Sequence, residues 1–180
     1  MVELLTAHTS ALDHGTRQAV RALLFEEFDD MTEEDWEHGL GGVHAMVREG
    51  GVIVGHASVV QRRLLHAGRA LRTGYVENVV VRADRRGRGH GAALMGALEA
   101  VVRGGYELGA LCAADDAAAF YAARGWQRWR GPLAALTPRG PVPTPDDEGE
   151  VFVLPGPPPG TVALDPDGPL VCDWRDGDLW

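Results

Sequence analysis

The chain has no lysine: all seventeen basic residues among its 180 are arginine, a preference from which no function follows. Cysteine is scarce as well, with only Cys112 and Cys172. Two thiols do not make a disulfide framework, so a cytoplasmic location is expected. No stretch approaches the roughly 18 apolar residues of a membrane span. Residues 1–10 lack the basic start and long apolar run of a secretion signal, so none is expected. The seven histidines show no metal-ligand spacing such as H-x-x-x-H, so no metal is expected either. Excess positive charge is also missing. A formal net charge of −9 argues against nucleic acid or an anionic membrane as a partner.

What is present fits one domain, residues 1–180. Hydrophobic residues make up 45% of the chain, enough for a core that needs no disulfide or metal. The charge is unevenly spread. Residues 131–180 carry nine acids (Asp146, Asp147, Glu148, Glu150, Asp165, Asp167, Asp173, Asp176 and Asp178) against Arg139 and Arg175. That proline-rich third therefore holds −7 of the −9, while the first 130 residues nearly balance. A solvated acidic face is the plain explanation; a wall that attracts a cationic substrate is the sharper one.

Hydrophobic periodicity predicts a strand over Val2 to Ala7. A helix follows, capped by Asp13 or Thr16, with Val20, Leu23, Leu24 and Phe28 on one face. Thr32 to Asp35 resembles a capping box that opens a short helix through Trp36. Strands are expected at Val43 to Arg48, Val52 to about Leu65 and Ala70 to Arg82, with turns at Gly50-Gly51 and His66-Ala67-Gly68. A helix carrying Leu94, Leu98 and Val101 closes at Gly104-Gly105. A strand over Tyr106 to Cys112 and a helix over Asp115 to Arg124, stopped by Gly125, come next. Beyond Gly131 the chain reads as loop with short strands at Val151 to Leu154 and Leu170 to Trp174, and Pro155 to Pro159 as an ordered loop or a flap. This order describes a mixed α/β (α+β) domain.

The chemistry concentrates where the third long strand, ending in Val79-Val80-Val81, meets the run Arg82 to Gly91 and the helix behind it. Arg85, Arg86 and Arg88 are interleaved there with Gly87, Gly89 and Gly91, and His90 adjoins them. Glycines let a ligand approach the backbone. The N–H groups at a helix N-terminus face an anion, which the helix dipole favours. Together these make a pyrophosphate site. Gly87 to Ala92 formally matches the dinucleotide fingerprint G-x-G-x-x-G/A, with Glu107 about 20 residues on, but that fingerprint belongs in a run of parallel βαβ units. A charged surface loop is the bland alternative.

Read as Arg86-x-x-Gly89-x-Gly91, the same residues resemble the acetyl-CoA pyrophosphate loop of the GNAT superfamily, and the element order agrees. Phe120-Tyr121 with Gly125-Trp126 resembles another segment of that superfamily. More closely, nearly the whole chain is similar to the aminoglycoside 2′-N-acetyltransferases. The resemblance is carried by Asp35-Trp36-Glu37-His38, Gly74-Tyr75-Val76-Glu77, Tyr106 to Leu111, Thr144-Pro145-Asp146-Asp147, Val151 to Pro155 and Cys172 to Trp180.

The resemblance implies a GNAT fold: a mixed, mainly antiparallel central sheet flanked by helices, with acetyl-CoA at a splay between central strands. It implies acetyl-CoA held by Val79, Val80, Val81 and Arg86 to Gly91, and no metal. An aminoglycoside would be bound by Asp30, Glu77, Cys112, Asp146, Asp147, Asp178 and the carboxylate of Trp180. Cys112 stands where some relatives have serine. It implies direct transfer, with Glu77 as base or as orienter of the amine, a bulge presenting the Val79 N–H to the oxyanion, and Tyr121 protonating the departing thiolate. With no histidine paired to Cys112 in sequence, no acyl-enzyme is expected; Cys172 is expected in the core. Members of the superfamily are often homodimers, but no pairing surface is legible. Three alternatives stay open: a GNAT enzyme for another polyamine, peptide or metabolite amine, a non-catalytic acyl-CoA- or drug-binding module, and, more distantly, a dinucleotide-binding oxidoreductase.

Overall fold

The computed structural model describes residues 1–156 and 163–180. It divides into two compact units, Met1–Val60 with Val76–Val101, and Gln61–Tyr75 with Val102–Trp180. No helix among the described residues is long and apolar enough to cross a membrane.

The first unit opens with β1 (Val2–His8), followed by helices α1 (His14–Glu27) and α2 (Glu33–His38). Asp13 caps α1 by accepting from the Thr16 N–H, 2.7 Å away. Thr32 and Asp35 cap α2 reciprocally, as a capping box does. Then come β2 (Val43–Glu49), β3 (Val52–His66) and β4 (Arg69–Val81). Strand β2 pairs antiparallel with both β1 and β3. The Arg82 N–H donates to Val54 O at 2.9 Å, so the end of β4 lies along the start of β3. Helix α3 (His90–Gly105) follows the Arg/Gly loop.

Apolar side chains on α1, α2 and the strands, with Leu12 ahead of α1, meet in one cluster: Leu12, Val20, Leu23, Leu24, Trp36, Met46 and Val80. Phe28, expected on the buried face of α1, instead lies just past its end as the C-cap residue and is exposed. The face of α3 is shifted by one residue from expectation. Leu94, Met95, Leu98 and Val102 are fully buried, whereas Val101 is half-buried.

The second unit contains the far ends of β3 and β4, joined by a tight hairpin with positive φ at Ala67 and Gly68. It adds β5 (Leu108–Cys112), α4 (Ala118–Ala122), β6 (Gln127–Arg128), β7 (Leu133–Thr137), β8 (Gly140–Pro143), β9 (Val151–Pro155) and β10 (Leu170–Asp173). Strand order there is β6-β9-β5-β4-β3-β10-β7-β8. The pairs β4–β5 and β7–β10 are parallel; β5–β9, β6–β9, β7–β8 and β3–β10 are antiparallel.

Two strands, β7 and β8, occupy what the sequence suggests is loop, and β6 lies in a stretch between Gly125 and Gly131 for which the sequence predicts no element. Pro141 and Pro143 are tolerated in β8 because it ends the strand order and needs no donor on its outer side. Helix α4 is shorter than predicted, with a 3₁₀ turn over Asp115–Ala117 before it. Strand β5 begins at Leu108 rather than Tyr106, and β10 ends at Asp173. Of the Pro155 to Pro159 segment, Pro155 ends β9 and residues 157–159 lie outside the described residues.

Candidate active site

Glu77 is half-buried on β4, and its main-chain oxygen accepts from Ser58 Oγ at 3.4 Å. The next residue is unexpected. Asn78 has φ 56, in the left-handed region, inside a strand of otherwise extended residues. Such a conformation costs an ordinary L-residue roughly 1–2 kcal/mol, and asparagine is among the few types that visit it routinely. Here it is held: Asn78 Nδ2 donates to Asp35 O at 3.0 Å, and His56 Nδ1 lies 3.1 Å from Asn78 O. A Cβ at Gly39 would stand 2.5 Å from Asn78 Nδ2, so only glycine leaves room for this contact. A left-handed residue inside a strand breaks the regular run of extended backbone just before Val79. Val79 and Val81 are half-buried and Val80 is buried.

The Arg/Gly loop continues directly from β4. Gly87 and Gly89 have φ 74 and 83, and open space surrounds both. Their glycine is required by backbone conformation, and left-handed residues that alternate with ordinary ones can turn successive N–H groups toward a shared concavity. The first backbone bond of α3 runs from Ala93 N–H to Gly89 O at 3.0 Å. The N–H groups of residues 90–92 precede it and have no intrahelical acceptor. A diphosphate fits this donor set, which answers the cosubstrate requirement by charge and shape.

The charged side chains of the loop are largely engaged within the unit. Arg86 Nη2 lies 2.7 Å from Glu27 Oε2. Glu49 takes Arg85 Nε at 2.9 Å and His90 Nε2 at 2.8 Å. Arg88 is exposed, with Nη2 3.3 Å from Asp84 O. The loop therefore offers backbone N–H groups first. Glu107, which the dinucleotide reading would place on a ribose, instead accepts from the Arg72 N–H and from Arg69, both at 2.9 Å. That role is structural.

In the second unit, Tyr121 is buried beside the rings of Phe120, Trp126 and Phe152. Burial pushes its phenol up to about 12. It thus keeps its proton at neutral pH, as a group that donates one must. Cys112 is half-buried at the end of β5, its Sγ 4.0 Å from Glu150 Oε2. Cys172 is fully buried in β10, where burial raises its thiol to about 11; it is a core residue.

Asp146 and Asp147 sit in a 3₁₀ turn over Pro145–Asp147. Partial burial raises the Asp147 carboxyl above its ordinary value, and the charges of Asp178 and Asp146 add to that, against a hydrogen bond from Thr144. Trp180 is buried, and its Nε1 donates to Thr144 Oγ1 at 2.8 Å. Arg175 donates to the main-chain oxygens of Asp178 and Trp180, at 2.5 and 3.1 Å. The structure therefore brings Asp146, Asp147, Asp178 and Trp180 together within this unit. Asp30, on the exposed turn between α1 and α2, belongs to the first.

Comparison with known proteins agrees with this architecture. Residues 10–126 match the sequence profile of the acetyltransferase (GNAT) family. An aminoglycoside 2′-N-acetyltransferase from Mycolicibacterium fortuitum is 50% identical over 96% of this chain and 89% of its own length. Among solved structures, a GNAT family N-acetyltransferase (YhbS) from Escherichia coli in complex with CoA aligns at TM-score 0.65 and 16% identity, covering 96% of this chain and 91% of that one. Eis1 from Mycobacterium abscessus aligns at TM-score 0.61 and 16% identity over 74% of this chain, which spans 33% of that longer protein. At such identities these two likenesses speak to the fold alone.

Proposed function

Because this chain belongs to the GNAT acetyltransferase family, and within it to the aminoglycoside 2′-N-acetyltransferases, we propose that it moves an acetyl group from acetyl-CoA to the 2′-amino group of an aminoglycoside by direct attack. The observation that carries the mechanism is the left-handed Asn78, flanked by Glu77 and Val79 and followed at once by the Arg/Gly loop. The family match takes in residues of both units, which supports reading 1–180 as a single acetyltransferase domain.

Bound acetyl-CoA supplies the acetyl group as a thioester. Its pyrophosphate is met by the N–H groups of the Gly87–Gly91 run and the start of α3, helped by Arg88. Its acyl arm lies along Val79, Val80 and Val81, at a splay between central strands. Asp30, Asp146, Asp147, Asp178 and the Trp180 carboxylate attract the ammonium groups of the acceptor. Three mutually repelling carboxylates around Asp147 form a site that gains most from a bound cation. Cys112 lines the acceptor side.

A protonated amine does not attack. Glu77 removes a proton from the ammonium, directly or through a water. The amine nitrogen then bonds to the thioester carbon, and the Val79 N–H donates to the oxygen as it gains negative charge. As the carbonyl re-forms, the carbon–sulfur bond breaks, Tyr121 gives its phenolic proton to the sulfur, and the nitrogen sheds its second proton, which returns the phenolate to phenol directly or through solvent. The products are CoA thiol and an N-acetylated aminoglycoside, which would leave the drug unable to act.

The test is release of CoA thiol from acetyl-CoA with a panel of aminoglycosides that differ in whether they carry a free 2′-amine. Release with only the 2′-amino compounds supports the proposal. Release with none of them, alongside tight acetyl-CoA binding, would move the acceptor to a different amine.

A further inference from the structure

The first unit holds a line of buried polar groups that ends on Asn78. Thr9 follows β1, His44 lies on β2 and His56 on β3. In the β2–β3 register His44 faces Ser58 and His56 faces Met46, which makes the two histidines diagonal neighbours on one face. Both imidazoles are fully buried. Thr9 Oγ1 is 2.7 Å from His44 Nε2, His44 Nδ1 is 2.9 Å from His56 Nε2, and His56 Nδ1 is 3.1 Å from the main-chain oxygen of Asn78.

The far end of this line dictates where its protons lie. A carbonyl only accepts, so His56 Nδ1 must carry hydrogen. Burial keeps His56 neutral, at about 3, with the neighbouring His44 adding to it. Its Nε2 is then bare and accepts from His44 Nδ1–H. His44 is likewise held neutral, at about 4, by burial, with His8 and Arg17 contributing. Its Nε2 accepts the Thr9 hydroxyl. The bonds all run in one direction, from Thr9 to Asn78. Arg17 secures the near end, donating to Thr9 O at 2.7 Å, and the Gly41 N–H donates to Thr9 Oγ1 at 2.9 Å.

The Asn78 carbonyl and the Val79 N–H belong to the same peptide unit, which is planar and stiff. Whatever fixes one fixes the direction of the other. A hydrogen bond into the carbonyl also polarises that peptide and strengthens its N–H as a donor. We propose that Thr9, His44 and His56 are positioning residues that hold the Asn78–Val79 peptide so that the Val79 N–H is presented to the developing oxyanion. This rests on the reading of Val79 as the oxyanion donor. It goes beyond it by assigning work to three buried groups that touch neither substrate.

Two measurements test it. The first is nitrogen-15 NMR of the imidazoles in the unaltered chain. Both His44 and His56 should carry their proton on Nδ1, the tautomer that free histidine disfavours. A proton on Nε2 of His56 would overturn the proposal, since the bond to Asn78 O could not exist. This arm is read on the protein whether or not it proves active.

The second compares His56→Leu with His56→Asn, whose side-chain amide keeps a donor near the Nδ1 position. His56→Leu should lower kcat by about 10- to 100-fold, short of the ~10²–10³-fold loss of an oxyanion donor itself. Its KM for acetyl-CoA should stay near that of the unaltered chain, and His56→Asn should restore most of kcat. Equal kcat in the two variants, each shown folded by thermal unfolding, would reduce the line to packing. If His56→Leu does not fold, the NMR tautomer decides. An unaltered chain that releases no CoA thiol from acetyl-CoA with any aminoglycoside would sink the acetyl-transfer reading instead, and the two failures are distinguishable.

Discussion

The Arg/Gly loop and the acidic turn, both proposed to bind ligands of opposite charge, treat their own charges in opposite ways. In the loop, Arg85, Arg86 and His90 are matched within the unit by Glu49 and Glu27. Binding there falls to backbone N–H groups whose direction is set by chain conformation. At the acidic turn, Asp146, Asp147 and Asp178 are left near one another; burial raises the Asp147 carboxyl, and the charges of Asp178 and Asp146 add to that. Binding there falls to charge that has not been spent. A diphosphate has one shape and rewards a fixed cradle. A polyamine has many ammonium groups in varied places and rewards a field. The first region should accordingly govern turnover and the second recognition, and the two can be separated by experiment.

The largest effect is expected at Glu77. Glu77→Gln should cut kcat by roughly 10²–10⁴-fold, the range for a general base, with little change in acetyl-CoA affinity. Weakened acetyl-CoA binding with normal turnover would move Glu77 out of the chemistry.

Next comes the acid stability of the first region. His44 and His56 bind no proton in the folded chain until about pH 4 and about pH 3, but do so near 6.5 when unfolded. The unfolded state therefore takes up more protons in that window. Stability should be full above pH 6.5 and fall as pH drops toward 4, by an amount on the order of 3 kcal/mol for each of the two histidines. Urea unfolding between pH 5 and 6.5, where ordinary carboxylates are silent, isolates this term. The slope should shrink in His56→Asn, and an unchanged slope would contradict the assignment of neutral imidazoles.

Tyr121 breaks the simple division, since it lies in the second unit but should act on turnover. Tyr121→Phe should slow transfer by about 100-fold, the low end of the range for loss of a general acid, while leaving aminoglycoside binding nearly intact. Because its phenol lies at about 12, any loss of activity between pH 8 and 10 has to come from another group.

The smallest effect is expected at the acidic turn. Asp147→Asn should raise KM for the aminoglycoside by about tenfold, near 1.4 kcal/mol, and spare kcat. Added salt should mimic it by screening. A kcat effect larger than the KM effect would show that this carboxylate takes part in the chemistry.

How much of this was legible in the sequence depends on the range of the interactions involved. The capping box at Thr32, the Asp13 cap, the hairpin turns and the loop before α3 are local, and local residue choice announces them. Phe28 misleads because helical spacing says nothing about where the helix stops. Strand β8 is hidden because its prolines fit a strand only at an edge, and that is decided by tertiary pairing; β7 is short and stands between β10 and β8, a place that only the same pairing decides. The acidic character of the last third is visible in composition. Its focus on Asp147 is not, because Asp178 comes close only through the fold. Asn78 could have been suspected, as a polar residue interrupting the apolar run before Val79, in a type that tolerates positive φ. The histidine line had no such signal: His44 and His56 are twelve residues apart and meet only through the β2–β3 register.

The most direct test of the whole account is the structure of the product. Incubation of the chain with acetyl-CoA and an aminoglycoside bearing several free amines, followed by NMR of the purified product, identifies which nitrogen carries the acetyl group. The account predicts a single acetyl on the 2′-nitrogen. Acetylation at another amine, or at several without preference, would contradict it, because the acidic turn would then gather the substrate without presenting one nitrogen to Glu77.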